Sequence, residues 1–88
     1  MKVDSVSYTP IFEKKFGALP QRTKDQFYKK ETTFRDNPFH QSLKTHKLKG
    51  RFKHRWSFSI DYNYRIVFYF ISQSDVIFIA VGTHEVYK

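Results

Sequence analysis

Cysteine is absent from all 88 residues. That excludes a disulfide framework, a thiolate zinc site and a cysteine nucleophile. Long apolar runs are absent too: the longest, Ile66 to Ile71, is far short of the roughly 20 residues that span a bilayer. The opening Met1-Lys2-Val3-Asp4-Ser5 has no apolar core of the kind a secretory signal carries. Repeats, low-complexity stretches and Gly/Ser linkers are missing as well. These absences lead us to expect one domain over 1–88, cytoplasmic, with no membrane partner. The fourth absence is local. Between Asn37 and Ile60 there is no Asp or Glu, yet the window holds Lys44, Lys47, Lys49, Arg51, Lys53 and Arg55, with His40, His46 and His54.

What is present is positive charge and aromatic surface. Sixteen Lys and Arg face eight Asp and Glu, a net charge of +8. A surplus of this size on a small domain suits a polyanionic partner: nucleic acid, an acidic protein, or both. A chain this short buries only about 60–65% of the surface its unfolded form exposes. Ten Phe, six Tyr and one Trp, each burying about 150–250 Å², supply the core.

Along the chain, Val3 to Tyr8 alternates as a short strand. Thr9-Pro10 has the form of an N-cap followed by Pro at the first helical position. A helix through Ile11, Phe12 and Phe16 follows and stops at Gly17. Leu19-Pro20 restarts a helix with an apolar stripe through Phe27 and Phe34, and Asn37-Pro38 ends it. The segment from Phe39 to Gly50 reads as polar and irregular. The period then becomes two: Phe52, His54, Trp56, Phe58 and Ile60 on one side, Arg51, Lys53, Arg55, Ser57 and Ser59 on the other. That predicts a strand with one buried and one basic face, and makes His54 a core or interface residue. Asp61-Tyr62-Asn63 is a turn, Tyr64 to Ile71 a strand, Ser72 to Asp75 a turn, and Val76 to Val81 a strand apolar on both faces. The order β-α-α-β-β-β predicts an α+β domain, a helical hairpin on one face of a mainly antiparallel sheet.

Arg51, Lys53 and Arg55, on one side of a strand, are spaced to meet successive phosphates, and with Lys44, Lys47 and Lys49 they form the candidate RNA-binding set. RNA is cut without a metal when its 2′-hydroxyl attacks the adjacent phosphate. That chemistry needs a base, an acid and cations for the developing charge. His46 and His84 are candidate acid or base, since histidine titrates near neutrality. Lys47, Lys49 and Arg65 are candidate charge stabilisers. The four histidines at 40, 46, 54 and 84 give no i,i+4 pair and no His-x-His, so no metal site and no cofactor is expected.

Three segments together resemble a known family. His46-Lys47-Leu48-Lys49-Gly50 is similar to its basic HxLxG turn. Ile60 to Tyr69, containing Tyr64-Arg65-Ile66-Val67-Phe68, is similar to its YR(I/L)V(F/Y) strand. Gly82-Thr83-His84 is similar to its GTH tail. The set resembles the RelE/YoeB/YafQ branch of the RelE/ParE toxins and covers most of the chain. The resemblance implies a toxin paired with an acidic, helical antitoxin, entering the ribosomal A site and cutting messenger RNA as a metal-independent endoribonuclease. It implies that Arg65 contacts the phosphate, that His84 is the general acid, that Tyr87 is the tail aromatic, and that Lys47 and Lys49 match lysines RelE relies on. Two departures leave the base open. The glutamate of YoeB-like toxins has no counterpart, and the His and Asp of YafQ-like toxins fall on Ser59 and Asn63. His46 is the first choice and a lysine the second. The alternative is a ParE-like toxin that inhibits DNA gyrase without catalysis.

Overall fold

The structure, a computed structural model, describes residues 1–50 and 53–87. Five strands and two helices follow the chain as β1 (Ser5–Tyr8), α1 (Pro10–Gly17), α2 (Gln21–Asp36), β2 (His46–Lys47), β3 (Trp56–Ser59), β4 (Arg65–Phe70) and β5 (Asp75–Gly82), with short 3-10 turns at Gln41–Leu43 and His84–Tyr87. They form one sheet in the order β1-β5-β4-β3-β2. Every pairing is antiparallel except β1 with β5. This is the α+β arrangement read from the sequence, with one addition: the two-residue edge strand β2, inside the segment read as irregular. No helix among the described residues is long and apolar enough to cross a membrane.

Local chemistry explains the first turn of the chain. The Thr9 hydroxyl accepts a hydrogen bond from the Phe12 amide at 3.0 Å and donates to the Ile79 carbonyl at 2.7 Å, while Pro10 occupies the first helical position. One side chain thus caps α1 and ties it to β5 at the register shift beside Val67 and Phe68. Thr9→Ala removes both bonds and leaves the carbonyl short of a donor. The expected cost is about 2 kcal/mol, the usual size of a lost cap plus a lost hydrogen bond. The readout is a lower urea midpoint at unchanged m.

The core lies between the sheet and the helices. Phe34 stacks on Phe58 at 4.8 Å between ring centroids and meets Phe68 and Phe78 edge-on at 5.0 and 5.3 Å. Such pairs add about 0.5–1.5 kcal/mol each beyond the burial of their area. Beside them Tyr8 donates from its hydroxyl to the Glu31 carboxylate, and Arg35 lies 3.6 Å from the same carboxylate. Burial, and then the bond to Glu31, push the Tyr8 phenol up to about 12, so Tyr8 remains a donor that fastens β1 to α2.

The structure corrects the sequence reading at one strand. β3 begins at Trp56, so the expected strand does not run through Lys53 and His54. Lys53 and His54 lie in a turn, and His54 has φ 68 in the left-handed region. A strand cannot run through such a residue. His54 is exposed, not a core residue, and Lys53 does not continue a strand face with Arg55. Arg51 and Phe52, which completed that pattern, lie outside the described residues.

Candidate functional site

Register decides what shares the sheet face opposite the helices. Trp56, Phe68 and Phe78 pair in one row, and Phe58, Ile66 and Val81 in the next, all on the helix side. Side chains alternate along each strand, so Ser57, Val67 and Ala80 form a row on the opposite face, and Ser59, Arg65 and Gly82 the row after it. Ser57 and Val67 are buried. Arg65 is half-buried.

The β3–β4 turn holds Arg65 in place. The Asp61 carboxylate accepts from the Asn63 amide at 2.9 Å and the Tyr64 amide at 2.8 Å, the side-chain mimic of a turn that Asp favours. The turn's Tyr62 carbonyl in turn accepts from the Arg65 guanidinium at 3.4 Å. On the other side, Arg65 pairs with Gly82, two residues before His84 at the start of the last 3-10 turn. Arg65 and His84 therefore line one depression of about 460 Å³, with Tyr62, Asn63, Tyr64 and Thr83, and among the described residues no carboxylate lines it. Tyr62 is 93% exposed at its rim.

Arg65 also lines a second, adjoining depression of about 350 Å³ with Lys30, Lys44, Ser59, Asp61 and Tyr62. Asp61 is the one carboxylate among its described lining residues, and its Oδ1 accepts from the turn amides. Lys44 has φ 53, a left-handed cap to the 3-10 turn before it.

The remaining candidates sit apart. His46 pairs with Ser57 on edge strand β2, on the same face as Arg65, and its Nδ1 lies 3.0 Å from the Lys44 carbonyl. Two strand spacings and two residues separate it from Arg65, about 12 Å between Cα atoms. Lys47 pairs with Trp56, which puts it on the helix side at the sheet edge. Lys49 and Lys53 are exposed outside the strands, and Arg55 is half-buried just before β3. Tyr87 ends the turn that His84 begins; its side chain lies outside the described residues. Among the described residues no group of three or more His, Cys, Asp or Glu could hold a metal ion.

Lys30, Tyr62 and Thr83 were not among the site residues expected from the sequence. Tyr62 carried a signal, because an exposed aromatic is an unusual choice for an Asp-x-Asn turn. Lys30 carried none, since its helix is basic along much of its length.

No family model and no curated protein matches this sequence. Solved structures do match it. The DinJ–YafQ toxin–antitoxin complex of E. coli is similar at TM-score 0.75 and 17% identity, over 97% of this chain and 96% of that one. A YoeB/ParE toxin from Agrobacterium tumefaciens is similar at TM-score 0.75 and 20% identity, over 96% and 99%. The archaeal RelE–RelB complex of Pyrococcus horikoshii is similar at TM-score 0.74 and 14% identity, over 94% and 96%. Two helices against a five-stranded sheet with a parallel first strand, matched along nearly the whole chain, give this protein the RelE-like toxin fold.

Proposed function

We propose that this chain is the toxin of a type II toxin–antitoxin pair and that it acts in the cytoplasm as an endoribonuclease, cutting messenger RNA in the ribosomal A site. The observation that carries the reading is the meeting of Arg65 and His84 in one depression, on the sheet face opposite the helices, with no carboxylate among its described lining residues. A phosphate on Arg65 has His84 on its β5 side and His46 on its β2 side. Attack in line needs a base and an acid on opposite sides of phosphorus. His46 takes the proton from the 2′-hydroxyl, the 2′-oxygen bonds to phosphorus, and the bond to the 5′-oxygen breaks as His84 gives that oxygen a proton. The products are a 2′,3′-cyclic phosphate and a 5′-hydroxyl. The ring of Tyr62, exposed at the rim, offers a face for a base to stack on. Lys44, Lys47, Lys49, Arg51, Lys53 and Arg55 supply sequence-independent attraction for the RNA backbone.

The partner that restrains it is an acidic helical antitoxin. Two of the three structural neighbours named above are toxin–antitoxin or RelE–RelB complexes, and a net charge of +8 gives on-rate and specificity to an acidic binder. Pulse labelling after induction tests the reading. Methionine incorporation is expected to fall first, with thymidine incorporation continuing. The reverse order points to the ParE-like alternative, inhibition of DNA gyrase.

A further inference from the structure

The depression beside the scissile-phosphate site remains to be assigned an occupant. Its cations come from three parts of the chain: Lys30 on α2, Lys44 after the Gln41–Leu43 turn, and Arg65 on β4. Lys30 is half-buried, and its ammonium donates to the Ser42 carbonyl at 3.2 Å. That bond holds it at the end of a helix-borne stem, on the wall it shares with Lys44. Asp61, the sole acid among the described lining residues, accepts through Oδ1 from the Asn63 and Tyr64 amides. Three cations against one carboxylate leave the described lining net positive, which suits an anion. Because Arg65 belongs to both depressions, the anion is continuous with whatever Arg65 holds.

We infer that Lys30 and Lys44 form a second phosphate subsite, which takes the 5′-phosphate of the nucleotide whose 2′-hydroxyl attacks. The inference rests on the ribonuclease reading above, and the polarity follows from it. The leaving 5′-oxygen belongs to the downstream nucleotide, so the acid His84 marks the downstream side of Arg65. Lys30 and Lys44 border the other depression, which His84 does not line, so they meet the strand one phosphate upstream. The subsite fixes the attacking nucleotide by its backbone at both ends, and so aligns the 2′-hydroxyl with phosphorus without reading the base.

The test is single-turnover cleavage on programmed ribosomes with a K30Q/K44Q variant. An ordinary message is compared with one carrying a neutral methylphosphonate one phosphate upstream of the cut. A K14Q/K29Q variant removes the same charge from exposed positions on α1 and α2 that do not line this depression. K30Q/K44Q is expected to cut the ordinary message about ten- to a hundredfold more slowly, the usual worth of hydrogen bonds to a charged group. K14Q/K29Q should stay near the parent rate. The methylphosphonate should slow the parent by a similar factor and K30Q/K44Q hardly further, the signature of one shared contact. Losses that multiply, or K30Q/K44Q cutting at the parent rate, overturn the subsite and leave the depression to a carboxylate of a protein partner. A parent that cuts neither message overturns the ribonuclease reading itself and the subsite with it. An unchanged thermal midpoint for K30Q/K44Q separates lost contact from lost fold.

Discussion

His84→Ala lowers the rate of message cleavage on programmed ribosomes by about 10²–10⁴, the usual size of a general acid's contribution. The expectation comes from placement. His84 opens the last 3-10 turn, two residues beyond the Gly82 that pairs with Arg65, and lines the same depression as the guanidinium. It stands on the β5 side, where the proposed mechanism places the leaving oxygen. The residue is exposed, so alanine removes chemistry and little packing, and the thermal midpoint should hold. Ribosome binding should hold as well, because an acid acts on the bond being broken and not on the ground-state complex. His84→Ala cutting at the parent rate would remove it from the mechanism. The acid would then be sought at Tyr87 or His46.

Arg65→Ala is expected to cost a comparable factor, since in the proposed mechanism it withdraws the cation that meets the developing charge on phosphorus. Here the lysine replacement is informative. The guanidinium presents a planar fork, and its bond to the Tyr62 carbonyl at 3.4 Å fixes that fork against the turn. An ammonium restores charge without the fork, so Arg65→Lys should recover part of the rate and not all of it. Full recovery by lysine would mean that Arg65 acts as a point charge. No loss on Arg65→Ala, with the protein folded, would move phosphate binding to the neighbouring lysines.

Much of the frame was legible from local chemistry. Thr9-Pro10, the stop at Gly17, and the Asn37-Pro38 break all fall at element ends, because capping and proline geometry act within a few residues. β4 and β5, built from apolar residues, appear within a residue or two of the expected bounds. The failure at β3 has a clear cause. Alternation from Phe52 to Ile60 reports the order of side chains, not the sign of φ, and His54 at φ 68 interrupts the backbone where the pattern runs on. β2 escaped notice because two residues, His46 and Lys47, carry no period at all. The parallel partner of β1 was equally hidden, since no local signal names a strand some seventy residues away.

The candidate site divides in the same way. Arg65 and His84 stood out by residue type and by family pattern, but their meeting depends on the register that sets Arg65 against Gly82. Lys47 and His46 are adjacent in sequence and lie on opposite faces, a distinction that only the sheet makes. Lys30 joins the site through the Ser42 carbonyl and the fold of the helical hairpin, which no reading of its own neighbourhood contains.

The pairing of β1 with β5 sets a timetable. Ser5 and Asp75, which meet across these strands, are separated by 70 positions in the chain. At about 5–20 residues added per second, a ribosome takes about 4–14 s to bring the second strand after the first. Until then β1 has no sheet to join, the Thr9 hydroxyl has no Ile79 carbonyl to meet, and Gly82 is not yet there to stand against Arg65. The arrangement around Arg65 is thus among the last things a nascent chain acquires, and a polypeptide halted before β5 carries the basic residues without the geometry that would arm them.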